Sequence, residues 1–290
     1  MKFQPLFNDN ELAKRLRELR GDSCIAPDVS IVIPVNAQGD LENVLNVISD
    51  LAHYEGSNRL EFVLVVNNYP PASPPDAIHR FLKLGIRALG IPDVRSPGYA
   101  IVLSARMPGI RAAESEAIVM FDSDCRIPHP TELINWYVDQ FRNGAGVVYS
   151  AVCHYDVAPA FSVYVRLAIH HGSRWVKRSL LGIPTTRGSN YGIRRTPMLE
   201  MFERKLLADD LNIGPVFKAE GHKVVYSGNA CLDVYTSGRM FKPGWGHMIP
   251  YFWYRFKYNL RTLPVRPDVA LRTGREKDGV RRYHDNRPVH

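Results

Sequence analysis

Two strand-length runs, residues 29–35 (Val-Ser-Ile-Val-Ile-Pro-Val) and 60–66 (Leu-Glu-Phe-Val-Leu-Val-Val), are apolar almost throughout and rich in β-branched side chains. A strand with one wet face alternates polar and apolar residues, whereas one that is apolar on both faces belongs inside a parallel sheet covered by helices on either side. Between the runs, Leu41, Val44, Leu45, Ile48 and Leu51 fall on one helical face. Strand, helix and strand make a βαβ unit, which restricts the chain to the α/β class. The Pro-rich stretch 69–75 cannot continue a central strand and is read as the loop at its C-terminal end. Loops at that end are where open α/β sheets take their ligands.

The same reading predicts a helix over 76–84, a strand over 86–89, a helix over 105–114 and a strand over 117–121, together a mononucleotide-binding half. A helix over 131–142, a strand over 146–152, a helical stretch over 161–177 and a helix over 208–220 follow. Ahead of the first strand, Leu12, Leu16 and Leu19 keep helical spacing, with Asp9 or Asn10 available as cap and Gly21 as stop. The expected organisation is an N-terminal amphipathic helix (1–28), one α/β domain (29–240) and a C-terminal extension (241–290).

With 290 residues, 45% hydrophobic and 23% charged, the chain can bury a core, which excludes collagen-like and largely disordered readings. No run reaches the ~18 apolar residues of a spanning helix, and residues 1–20 carry charges where a signal peptide is apolar. The expectation is a cytoplasmic protein. Cys24, Cys125, Cys153 and Cys231 form no C-x-x-C pair, which argues against a zinc ribbon or a disulfide framework. Of the formal charge of +8, residues 241–290 supply +7, from eleven Lys and Arg against four Asp and Glu.

Directly after the strand at 117–121 stand Asp122, Ser123 and Asp124. Two carboxylates one residue apart at a strand end can hold a divalent cation, directly or through water, while the cation binds a diphosphate. Hard oxygen ligands favour Mg²⁺ or Mn²⁺ over zinc. The plain alternative is an Asp-rich turn.

In order along the chain come Ser30-Ile31-Val32-Ile33-Pro34-Val35-Asn36, Glu61-Phe62-Val63-Leu64-Val65-Val66-Asn67-Asn68, Ser104-Ala105-Arg106-Met107-Pro108-Gly109-Ile110, Phe121-Asp122-Ser123-Asp124 and Ala208-Asp209-Asp210-Leu211. This series resembles the family 2 glycosyltransferases of GT-A fold over residues 29–240. That family reads S-I-V-I-P-x-x-N in its first strand, an Asp-rich turn after the second, then A-R-N-x-G, D-x-D and a downstream E-D pair. The resemblance implies a Rossmann-like, mostly parallel sheet with helices on both faces. It implies that Pro34, Val35, Asn36 and Asn67 border the nucleotide, with Asp122, Ser123 and Asp124 at the D-x-D and Asp124 the direct metal ligand. Arg106 would help hold the nucleotide or diphosphate; its plain alternative is a solvated charge on a helix face. Asp210, preceded by Asp209, matches the residue that deprotonates the acceptor hydroxyl.

An inverting transfer needs one carboxylate near the attacking hydroxyl and a cation to neutralise the departing diphosphate. The competing reading of Asp209 and Asp210 is a pair of acids at a helix N-terminus. Residues 187–190 (Arg-Gly-Ser-Asn) resemble the segment lining the sugar and acceptor site, and also suit a plain turn. The chain departs from the family at Asn67, where an Asp would read uracil, and at Met107-Pro108, where A-R-N-x-G has Asn. His247 is the candidate for a late histidine ligand to the metal; His170 and His171 are read as structural.

Residues 245–260 interleave Trp, Tyr and Phe with Arg255 and Lys257. This suits either a peripheral membrane contact or a lid over the acceptor site. The basic tail beyond keeps nucleic-acid binding open. The sequence thus points to a metal-dependent inverting glycosyltransferase using Mn²⁺ or Mg²⁺ and a nucleotide-sugar, most simply a UDP-sugar, with a lipid-linked or glycan acceptor. The rivals are a nucleotide-sugar or nucleic-acid binding protein without transfer activity, a glycosyltransferase acting on nucleic acid, and a nucleotidyltransferase. The last is disfavoured because no Gly-rich loop and Lys follow the first strand.

Overall fold

The computed structural model of the chain describes residues 3–22, 24–94, 101–207, 209–238, 241, 249–250 and 253. Seven strands, β1 (Val29–Asn36), β2 (Leu60–Asn67), β3 (Arg87–Ile91), β4 (Ala117–Phe121), β5 (Ala145–Ser150), β7 (Asn190–Arg194) and β8 (Lys223–Ser227), form one sheet in the order β3-β2-β1-β4-β7-β5-β8. All neighbours run parallel except β7, which is antiparallel to both β4 and β5. The short strands β6 (Val152–His154) and β9 (Val234–Thr236) pair as a separate parallel ribbon.

The expected two-sided burial is present, and its cause is the period of two along each strand. Ile31, Ile33 and Val35 of β1 and Val119 and Phe121 of β4 pack on one face, against α1 (Asp9–Arg20), α2 (Asn43–Ala52), α3 (Ala77–Lys83) and α5 (Pro130–Arg142). Val32, Ile118 and Met120 point to the other face, against α4 (Ile101–Ala112), α7 (Arg195–Glu203) and α8 (Ile213–Ala219). Each fully buried Ile or Val contributes about 1.5–3 kcal/mol of transfer free energy, so the alternation fixes the register of the whole sheet. Pro34 is tolerated in β1 because β4 pairs with that strand only over Ser30, Ile31 and Val32. Gly109 lets α4 lie close on the sheet: a Cβ there would stand 2.5 Å from Val32 Cγ1 and 2.9 Å from Val65 Cγ2.

Several expected boundaries move. The α1 cap is Asn8, in a capping box with Glu11, not Asp9 or Asn10; Gly21 does end the helix. The A-R-N-x-G-like segment lies wholly inside α4, which begins at Ile101 and runs through Pro108. The expected strand over 146–152 breaks into β5 and β6. The helix expected over 208–220 shortens to α8, so Asp209 and Asp210 are not its capping pair. Asp209 Oδ1 instead accepts from the Leu211 amide at 2.5 Å, an Asx turn that competes with helix.

Candidate active site

Strands β2 and β4 flank β1 on opposite sides, so the connections part at the C-terminal ends of β1 and β4, the place where open α/β sheets take ligands. Asp122 follows β4 at this end. Strand β7 enters antiparallel, with Asn190 opposite Phe121, and this register brings the preceding Ser189 beside Asp122. The Ser189 hydroxyl donates to Asp122 Oδ2 at 2.7 Å, and Arg106 Nη2, reaching over from α4, donates to Oδ1.

Arg106 is 0% exposed, which overturns the reading of a solvated helix-face charge. A guanidinium so placed is tenable only when paired and hydrogen-bonded, and its second partner is the Gly188 carbonyl at 2.7 Å. Burial works against its charge, but the neighbouring Asp122 and Asp210 outweigh it and hold the Arg106 pKa above the ordinary value. Its Nε and the Tyr191 hydroxyl are buried without hydrogen-bond partners, and the guanidinium lies 5.9 Å from the Tyr191 ring centroid.

Gly188 is the meeting point of three elements. A Cβ on it would stand 2.6 Å from Asp210 Oδ2 and 2.8 Å from Arg106 Nη2, so the candidate base, the buried cation and the D-x-D are neighbours around one glycine. The same loop fixes the Asp210 backbone, because Thr186 Oγ1 donates to the Asp210 carbonyl at 3.0 Å. Asp209 is buried and committed to its turn.

Asp124 is buried with Ser123. Its Oδ1 accepts from Thr236 Oγ1 at 2.9 Å and its carbonyl from the Tyr155 hydroxyl at 3.2 Å, so the β6–β9 ribbon orients this carboxylate. Thr236 and Tyr155 went unseen in the sequence because they lie 112 and 31 residues from Asp124, with no spacing pattern to link them.

On the β1–β2 side, the Val35 side chain faces the core, Pro34 is half-buried and Asn36 is exposed. Asn67 is buried and turns its amide back to the Val65 carbonyl at 3.1 Å. The outward amide is that of Asn68, at φ +63°, which donates to Asn36 Oδ1 at 3.0 Å.

His170 and His171, read from the sequence as structural, both approach His154, at ring-centroid distances of 6.3 and 5.6 Å. Arg187 contacts His170 Nε2. Burial, then the Arg187 charge, pushes the His154 pKa down to about 3, and both its ring nitrogens are buried without partners. Among the described residues no group of three His, Cys, Asp or Glu side chains is arranged to hold a metal. His247 lies outside the described residues, as does most of 245–260; Ile249 and Trp253, which are described, are exposed.

The donor chemistry nevertheless suits a hard cation. Asp122 and Asp124 offer carboxylate oxygens from one turn, and the neighbouring Cys125 is buried as a thiol, its pKa pushed up by burial and by the two acids while its Sγ donates to the Ser189 carbonyl at 3.3 Å. An oxygen-only donor pair fits Mg²⁺ or Mn²⁺ completing its shell with diphosphate and water rather than an ion caged by protein.

The chain matches no protein-family model and no curated protein. Among solved structures it is similar to the mannosyltransferase PcManGT from Pyrobaculum calidifontis in complex with GDP-Man and Mn²⁺. The identity is 15%, the match covers 97% of this chain and 84% of that one, and the TM-score is 0.52. The chain has the GT-A fold. It is also similar, at 18% identity over 91% of this chain and 84% of the other and with a TM-score of 0.48, to glucosyl-3-phosphoglycerate synthase from Mycobacterium tuberculosis in complex with Mn²⁺, UDP and phosphoglyceric acid.

Proposed function

We propose that this chain is a metal-dependent, inverting glycosyltransferase of family 2 type that moves a sugar from a nucleotide-sugar to an acceptor hydroxyl, with its catalytic unit in residues 29–240. The observation that carries the reading is the convergence of Asp122, Arg106 and Asp210 on Gly188. A divalent cation held by Asp124, with Asp122 and with His247 as a further ligand, would neutralise the charge on the departing diphosphate. Because both oxygens of Asp122 already accept from Arg106 and Ser189, Asp124 is assigned the direct bond.

Asp210 takes the acceptor proton as general base. Asp209 holds the turn that presents Asp210 and touches no reacting atom. Arg106 acts from behind, fixing Asp122 and lending positive charge to the diphosphate side of the site. Backbone groups of Pro34 and Val35 and the amides of Asn36 and Asn68 border the nucleotide, and Asn67 supports that edge from within. An amide offers both donor and acceptor to a pyrimidine or purine edge. GDP-Man, bound by the mannosyltransferase of the same fold, is therefore a donor to set beside UDP-sugars. The acceptor is a lipid-linked or glycan hydroxyl.

The test is calorimetry of UDP, GDP, CDP, ADP and dTDP with and without Mn²⁺, followed by donor turnover. Manganese-dependent binding of one diphosphate, with turnover lost and binding kept in Asp210→Asn, is the expected result. Binding with no turnover of any sugar of that nucleotide by the wild-type chain would mark a binding protein and end the transferase reading.

A further inference from the structure

Helix α6 (Phe161–Trp175) and the single π-helical turn after it (Val176–Leu180) expose most of their large apolar side chains. Phe161 is 84% exposed, Trp175 53% and Leu180 66%, and Tyr164, Ile169 and Leu181 are exposed with them. Phe161, Tyr164, Ala168 and Trp175 fall along one helical face. The inward face carries Val163, packed with Phe241 and Leu167, beside Arg166 and His170, both buried, and Arg174, which contacts the Thr185 carbonyl. The solvent face of a surface helix is ordinarily polar, and an exposed apolar patch of this kind marks a surface that is covered in use.

The charge around it says by what. From residue 157 to residue 199 the chain has no Asp or Glu and seven Arg or Lys. Lys177 and Arg178 lie in the chain between the exposed pairs Trp175 and Val176 and Leu180 and Leu181. Trp, Tyr and Phe next to cations without acids complement the headgroup region of an anionic bilayer. A second copy of this chain is a poor occupant, because a two-fold contact would set Lys177 and Arg178 against their own copies. No helix among the described residues is long and apolar enough to cross a membrane, so such a helix would lie in the plane of the interface.

We infer that α6 and its π turn form a monotopic docking surface for an anionic phospholipid bilayer. The docking does not rest on the transferase reading. Where that reading holds, it gives the site an address: Arg174 holds the Thr185 carbonyl, and the next residue, Thr186, holds the Asp210 backbone, so a helix seated among headgroups sets Asp210 beside the membrane surface.

The experiment is co-sedimentation of the full chain with vesicles of phosphatidylcholine alone and of phosphatidylcholine mixed with phosphatidylglycerol. It compares wild type with the double variant Trp175→Ser/Leu180→Ser and with Lys177→Glu, and checks oligomeric state by light scattering. The wild type should bind the anionic vesicles, less at high salt, and the double variant should bind on the order of tenfold more weakly at an unchanged melting temperature. Lys177→Glu should weaken binding to anionic vesicles. Wild type that ignores both vesicle types, a double variant that binds as wild type does, or a double variant that converts a dimer to a monomer while keeping its vesicle affinity, would each overturn the assignment. The last would make the face a contact between copies.

Discussion

Ser189 and Asp122, 67 residues apart, are joined by a 2.7 Å hydrogen bond that exists because β7 runs against β4 with Asn190 opposite Phe121. The antiparallel strand brings the loop 185–189 back over the D-x-D, and Arg106 closes the arrangement from below. The first acid of that motif is therefore part of the scaffold of the site.

Asp122→Asn should accordingly cost more stability than Asp124→Asn. The amide oxygen can still accept from Arg106, but the counter-charge is gone, which leaves the fully buried guanidinium with the Gly188 carbonyl and the charge of Asp210; breaking a buried ion pair from one side costs about 3–5 kcal/mol. Asp122 is partly open to water, so the lower end, about 3 kcal/mol, is expected. Urea denaturation of the two variants checks the order; equal losses would mean that Asp122 does not support Arg106.

Asp124→Asn separates the metal from the scaffold. The substitution keeps an acceptor for Thr236, so the fold should hold within about 1 kcal/mol, while Mn²⁺-dependent diphosphate binding should fall at least about tenfold, the equivalent of about 1.4 kcal/mol. Calorimetry with and without Mn²⁺ reads both quantities. Unchanged metal dependence would move the ligand role away from Asp124.

His154 ties stability to pH. Its pKa, pushed down to about 3 from 6.5 by burial and by the Arg187 charge, is lower in the folded chain than in the unfolded one. The unfolded chain thus binds the extra proton between about pH 6.5 and pH 3. Stability from this group is complete above pH 6.5 and is lost as the pH falls through that window. His171, held down to about 4 by burial and Arg187, acts in the same direction, with Arg174 opposing its charge too and Asp156 favouring that of His154. His154→Gln, which cannot take the proton, should flatten the acid limb of a plot of unfolding free energy against pH. An identical slope in wild type and variant would show that His154 titrates normally.

The half of the fold up to β4 was legible because its strands are buried on both faces and therefore read as continuous apolar runs. In the second half α5, β5 and α6 were legible from their periodicity, and β7, α7 and β8 were not. β7, Asn190 to Arg194, holds a buried Asn and a Gly and has no pattern of its own; it is a strand because β4 and β5 pair with it from either side. The acids at 122, 124 and 210 could be read by order along the chain, but their partners could not. Arg106 was read as a partner of the diphosphate, with a surface charge as the alternative, since nothing local reveals that Asp122 and Gly188 receive it, and the outward face of α6 was hidden because periodicity shows a stripe and not which way it points.

Gly188→Ala tests the centre of the site. The added methyl would meet Asp210 Oδ2 at 2.6 Å and Arg106 Nη2 at 2.8 Å, contacts closer than real Cβ atoms make. Arg106 is buried and hydrogen-bonded and cannot withdraw without breaking a bond, so the Asp210 carboxylate must turn away on a backbone that Thr186 holds. Overpacking of this kind costs about 1–3 kcal/mol. Under the proposed mechanism the displaced Asp210 carboxylate also loses its alignment on the acceptor, and a misplacement near 1 Å costs on the order of 100-fold in rate. The variant should therefore bind Mn²⁺ and nucleoside diphosphate much as wild type does, through Asp124, while transferring sugar about two orders of magnitude more slowly. Comparing diphosphate affinity by calorimetry with single-turnover transfer separates the two effects, and a variant that turns over at the wild-type rate would place the base somewhere other than Asp210.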